Sequence, residues 1–240
     1  MTVKGSVESS FYYQSHSSAS IMRVANFPDD VLPLLQMESL ATREAATIFG
    51  CSMIVEFGCY DGRALEVARF SGTSYLGVDT DESAIVLLRK RIIEEQFGDT
   101  ASAVVGDALD PVTWLESVVG PKPLHLLPFN LLGNFRDPGR LLASLSRVGG
   151  LATFSVFNSS APVNNLRHDY YTKCGVRQLA YTTVADGGVV FTGADGFYSR
   201  SFEDRALRAL LDEAGAPVLR TVRNRIGQCV TVLLGNNQSR

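Results

Sequence analysis

Six short apolar runs separated by amphipathic stretches constrain this chain more than any other feature: "SMIVEFG", "SYLGVD", "ASAVVGD", "HLLPFNLL", "GLATFSVFN" and "QCVTVLLG". Runs of that length suit strands buried on both faces, and the helical periodicity between them supplies covering layers. Helices are predicted over Gly62 to Phe70, Ser83 to Phe97, Val112 to Val119 and Pro138 to Val148. A further one, "SFEDRALRALLDEAG", opens with a capping-box spacing from Ser201 to Asp204 and closes at Gly215. This alternation predicts one α/β domain with a mostly parallel sheet and helices on both faces.

Two pieces stand outside the alternation. The polar, aromatic "FYYQSHSSAS" precedes a helical region from about Pro28 to Ile48, so residues 1–50 are expected to form an N-terminal lid and helix. Residues 51–240 then form the α/β domain, with an inserted cover at about 165–200, where "LAYTTV" and "VVFTG" flank "ADGG", a hairpin signal. Both pieces are expected to cover the ligand-binding edge of the sheet.

The chain has 240 residues, 45% of them hydrophobic, and a formal charge of −3. A chain this long buries roughly 70% of its unfolded surface, enough for one sizeable core. The mild acidity argues against a nucleic-acid partner; Arg220, Arg223 and Arg225 in "LRTVRNR" read as a solvated edge strand without an aromatic stacking platform. No apolar run approaches the roughly 20 residues that span a bilayer, and "MTVKGSVESSFYY" lacks a secretion signal's apolar segment. A cytoplasmic protein with no membrane partner is expected. Cys51, Cys59, Cys174 and Cys229 form no CxxC pair and read as buried free thiols, and His16, His125 and His168 form no HxH or HExxH pattern. No metal is expected.

The first run leads into the loop "EFGCYDG". A glycine loop between a strand and a helix brings backbone N–H groups close to a ligand, and the helix start favours negative charge. By itself such a loop also serves as a tight turn with no ligand. Two further strand ends carry matching chemistry. Asp79 ends the second run, where a carboxylate can accept from both hydroxyls of a ribose. Asp107 and Ala108 follow the third, where a carboxylate and a backbone N–H can read the amine and a ring nitrogen of adenine.

With those residues in place, the chain resembles the class I S-adenosylmethionine-dependent methyltransferases, over roughly Cys51 to Val156 and more loosely in the C-terminal strands. The resemblance implies a Rossmann-like fold with a seven-stranded, mostly parallel sheet and S-adenosylmethionine as substrate or methyl donor. It implies that Glu56 helps hold the cofactor's amino end, that Gly58 and Gly62 shape the loop, that Asp79 binds ribose, and that Asp107 with Ala108 binds adenine. Tyr60 departs from the family's glycine pattern. Its side chain is expected to point to solvent from a backbone position that does not require glycine; the alternative is a ring that narrows the space beside the methionine tail. A nicotinamide-binding fold is disfavoured because the GxGxxG spacing is absent.

The fourth run continues into "LLPFNLLGNFRDP", where Asn130 and Asn134 offer amide groups but no strong base. Each asparagine is also a candidate for a satisfied turn or cap. "LGNF" resembles the corresponding region of amino-acid N-methyltransferases, and no Asp/Asn-Pro-Pro-Tyr signature of base-modifying enzymes is present. The features around Phe129, Asn134 and Tyr171 resemble the azetidine-2-carboxylate synthases, which cyclise S-adenosylmethionine and release methylthioadenosine. That resemblance implies that Asn134 and the Tyr171 hydroxyl orient the amine, and that Phe129 with Tyr12 or Tyr13 shields the positive charge, each ring contributing ~0.5 to 2 kcal/mol. Methyl transfer to a small amine-bearing acceptor and non-catalytic cofactor binding remain alternatives, and the oligomeric state stays open.

Overall fold

The computed structural model describes Phe11 and residues 17–235; Tyr12, Tyr13 and His16 lie outside the described residues. Helices α1 (Ser17–Met22) and α2 (Leu32–Ile48) precede β1 (Met53–Phe57), α3 (Leu65–Ser71), β2 (Ser74–Asp79), α4 (Glu82–Glu94) and β3 (Ala101–Val105). Then come β4 (Pro123–Leu127), the single turn α5 (Leu131–Asn134), α6 (Pro138–Ser146) and β5 (Gly150–Phe157). Helix α7 (Ala161–Lys173) leads into β6 (Ala180–Thr183), β7 (Val189–Thr192) and β8 (Tyr198–Arg200), and the chain closes with α8 (Asp204–Glu213), β9 (Val218–Arg223) and β10 (Gly227–Leu234).

The seven-stranded sheet has the order β3-β2-β1-β4-β5-β10-β9, parallel except that β10 runs antiparallel to both β5 and β9. On one face Val55, Phe57, Leu76, Val78 and Phe154 pack against Leu141, Leu142 and Leu145 of α6 and Leu207 and Leu211 of α8. On the other, Ile54, Tyr75 and Leu124 meet Ala45 of α2, Leu65 of α3 and Ile85 and Leu88 of α4. The alternation of partners along each strand is the period-two consequence of the pleat. A third cluster, above the carboxyl ends of β4 and β5, joins Phe11 and Ile21 to Phe129, Phe157, Tyr170, Tyr171, Phe191 and Phe197.

The hairpin expected around "ADGG" is β6–β7, closed by the N–H of Val184 donating to the Gly188 carbonyl at 2.9 Å. It belongs to a three-stranded sheet whose third strand, β8, sequence reading did not anticipate. Three expectations are corrected. The fourth strand ends at Leu127 rather than Leu132: Pro128 has no N–H for a ladder, and Phe129 and Asn130 turn the chain at φ 46 and 64. The helix expected over Val112 to Val119 is two 3-10 turns around the buried Trp114, whose φ of −141 breaks any α-helix. No capping box forms at Ser201, because its hydroxyl accepts from the Val189 N–H at 3.2 Å and α8 starts only at Asp204.

Candidate active site

One large cavity opens at the carboxyl edge of β1 to β4. Its floor is the loop after β1. Gly58 (φ 60) and Tyr60 (φ 48) both adopt left-handed backbone there. The Tyr60 N–H donates to Asp79 Oδ2 at 3.0 Å and the Asp81 N–H to Oδ1 at 3.0 Å, which fixes the carboxylate at the end of β2 while leaving a lone pair on each oxygen. Burial holds the Asp79 carboxyl above its usual range, against the lowering effect of these N–H bonds.

The position next along the edge is Asp107–Ala108. Asp107 Oδ1 accepts from the Leu109 N–H at 2.9 Å, and its carbonyl accepts from the indole of Trp114 at 3.0 Å. The Ala108 carbonyl accepts from Ser144 at 2.9 Å, while its N–H has no partner among the described residues. Across the cavity stand Phe129, Leu131, Asn134 and Phe135, and Ile21 and Met22 of α1 line it from the N-terminal side. The side chain of Asn134 makes no hydrogen bond to any described residue. Among the described residues the lining therefore includes Tyr60, Asp79 and Asp107 as its ionisable residues, the uncommitted Asn134, and mostly apolar residues.

Gly58, Asp79, Asp107, Ala108, Phe129 and Asn134 are thus brought together on one cavity. The other expected site residues are placed differently. Gly62 (φ 82) does not line it; a Cβ there would lie 2.5 Å from Leu88 Cδ1, so α4 packing demands this glycine. Glu56 is fully buried behind the loop, its Oε2 accepting from the Tyr75 hydroxyl at 2.6 Å and the Ala64 N–H at 3.0 Å. Burial pushes its carboxyl up to about 7, and its Oε1 has no partner among the described residues.

Asn130 is a committed turn residue. Its amide donates to Ser199 and to the Arg200 carbonyl, both at 3.1 Å, and accepts from the Phe157 N–H, which ties the β4 end to β5 and β8. The Tyr171 hydroxyl is likewise committed, to Ser199 Oγ at 2.7 Å and Arg167 at 3.4 Å, and the residue is buried outside the cavity lining. Tyr12 and Tyr13 lie outside the described residues. The expectation for the Tyr60 backbone is corrected: it is left-handed, the conformation glycine favours, and the residue is one of those that line the cavity.

Sequence reasoning missed helix α7 and with it Arg167, a buried guanidinium over the rings of Phe157, Tyr171 and Phe191. It also missed Glu38 of α2, 3% exposed. A signal existed for Glu38: it falls at helical spacing on the same stripe as Leu34, Met37, Ala41 and Ala45. All four cysteines are free and buried. Among the described residues no helix is long and apolar enough to cross a membrane.

No protein-family model matches the sequence, and no curated protein does. Solved structures do match. The 1,6-didemethyltoxoflavin-N1-methyltransferase of Burkholderia thailandensis, with bound 1,6-didemethyltoxoflavin and S-adenosylhomocysteine, is 16% identical at a TM-score of 0.59, covering 92% of this chain and 91% of its own. The magnesium protoporphyrin IX methyltransferase of Synechocystis PCC 6803 with bound S-adenosylmethionine gives 11% and 0.59, covering 97% and 99%. An S-adenosylmethionine-dependent methyltransferase of Aquifex aeolicus gives 11% and 0.57, covering 90% and 98%. With the strand order above, these similarities establish that the chain has the fold of the class I S-adenosylmethionine-dependent methyltransferases.

Proposed function

We propose that the protein consumes S-adenosylmethionine in this cavity, and that the reaction is intramolecular cyclisation to azetidine-2-carboxylate. The observation that carries the cofactor reading is the row of strand ends on one cavity wall: Asp79 with lone pairs free for ribose, Asp107 for the adenine amine, and the unpartnered Ala108 N–H for a ring nitrogen. The residues present fit the group, because the remaining lining is apolar and aromatic, as a sulfonium and a thioether tail require.

S-Adenosylmethionine itself supplies both the electrophilic carbon and the nucleophile, its α-amine in the neutral form after giving up its proton to water: nitrogen bonds to the γ-carbon, the carbon–sulfur bond breaks, and the positive charge passes from sulfur to nitrogen as methylthioadenosine leaves. The chain then has to position rather than abstract, which suits a wall that has no histidine or cysteine among the described residues. Asn134 would accept from or donate to the amine and hold it behind the carbon. The Phe129 ring would face the migrating charge, and Ile21 and Met22 of α1, as a lid, would exclude water. Glu56 would act from behind the loop, since its carboxylate does not reach the cavity wall.

Methyl transfer to a small amine-bearing acceptor is the second reading, favoured by the solved structures of the same fold that are methyltransferases. The same positioning serves it, with the nucleophile arriving separately. Product analysis with S-adenosylmethionine as sole substrate tests the choice.

A further inference from the structure

Helix α2 carries one carboxylate into the interior, and three elements of the site converge on it. Glu38 Oε2 accepts from the backbone N–H of Phe129 at 2.7 Å and from the Ser155 hydroxyl, while Oε1 pairs with Arg63 Nη2 at 3.1 Å. These partners belong to the turn after β4, to β5, and to the loop that leads from β1 into α3. Phe129 is held at φ 46, and aromatic residues occupy that region only where the surroundings over-determine it. Arg63, oriented by the same carboxylate, sits 5.7 Å from the centroid of the Phe129 ring. Glu38 itself does not line the main cavity; Phe129 does.

We infer that Glu38 is a positioning residue for the reaction, fixing the Phe129 ring in the cavity wall and tying the N-terminal helix to the cofactor loop. This rests on the reading that the cavity holds S-adenosylmethionine. Glu38 thus holds the backbone of a cavity-lining residue in left-handed conformation. Its replacement by glutamine is informative because one oxygen becomes a donor. Whichever way the amide turns, it meets either Arg63 or the Phe129 N–H, donor against donor.

Glu38→Gln should lower kcat for S-adenosylmethionine consumption by about tenfold, the cost of a hydrogen bond to a charged group, with S-adenosylhomocysteine affinity changed less than about threefold. In a Phe129→Leu background the same substitution should cost less than about twofold, because the ring it positions is gone. Equal losses in the two backgrounds, or an affinity loss as large as the kcat loss, would overturn the inference. Amide exchange of Phe129 in the ligand-free protein reads the link without turnover: faster exchange in Glu38→Gln supports it, and unchanged exchange overturns it. A wild type that consumes no S-adenosylmethionine would count against the functional reading, with amide exchange then deciding only whether Glu38 holds the Phe129 backbone. Glu38→Asp, which keeps the charge but is one methylene short, gives the same readouts with a smaller loss if the glutamine variant does not fold.

Discussion

The backbone N–H of Tyr60 donates to the carboxylate of Asp79 at 3.0 Å, so the loop after β1 is locked to the end of β2 through a residue in left-handed conformation. Tyrosine at φ 48 costs roughly 1 to 2 kcal/mol relative to glycine, and Tyr60 is among the residues that line the cavity. Tyr60→Gly should therefore fold with unchanged or slightly raised stability and bind S-adenosylhomocysteine about five- to tenfold more weakly, for the loss of one ring contact of about 1 kcal/mol. Calorimetric titration checks this; unchanged affinity would mean that the ring does not touch the ligand.

Asp107→Ala removes the carboxylate assigned to the adenine amine, and with it the acceptor for the Leu109 N–H. The expected result is at least a tenfold loss of S-adenosylhomocysteine affinity at a stability cost of about 1 kcal/mol. Affinity equal to wild type would place adenine elsewhere.

Tyr171→Phe discriminates between packing and chemistry. The hydroxyl bonds Ser199 and Arg167 in the interior, so its loss should cost about 1 to 2 kcal/mol in denaturant stability and leave turnover of the folded enzyme within about twofold. Asn134→Leu should do the reverse, lowering turnover more than tenfold with stability nearly unchanged, because its amide makes no bond to any described residue. A large kcat loss in Tyr171→Phe at full stability would return that hydroxyl to the reaction.

Two buried groups make opposing contributions to stability as pH changes. Burial raises the Glu56 carboxyl from 4.5 to about 7, so the folded state binds the extra proton and loses stability as pH rises through that window. Burial lowers the His125 imidazole from 6.5 to about 4, so the folded state loses stability as pH falls from 6.5. Between pH 5 and 7 the two largely cancel. Glu56→Gln should expose the histidine slope: its stability relative to wild type should improve by about 2 kcal/mol from pH 5 to pH 7. Urea denaturation at the two pH values measures the difference; a pH-independent effect of the substitution would show that Glu56 is ionised throughout.

Most strands of the large sheet were legible because an apolar run, and the carboxylate that follows two of the runs, are local signals. Asp79 and Asp107 needed only their place at the end of a run. Helix α7 was hidden because its buried stripe, Val163, Asn164, Arg167, Tyr170 and Tyr171, is mostly polar or aromatic and reads as exposed until tertiary partners are known. Glu38 was overlooked for the same reason: its partners lie 25, 91 and 117 residues away in sequence. Tyr171 and Asn130 looked available from sequence since nothing local shows that Ser199, on β8, claims both. Hydroxyl and amide chemistry is readable from residue type, but whether it is already committed is a long-range property.

The most direct measurement is incubation of the purified protein with S-adenosylmethionine and no acceptor, followed by mass spectrometry. Cyclisation predicts equal amounts of methylthioadenosine and azetidine-2-carboxylate, with no S-adenosylhomocysteine. S-Adenosylhomocysteine formed only when an amine is added, without azetidine-2-carboxylate, would contradict cyclisation in favour of methyl transfer, and binding without consumption under either condition would contradict both.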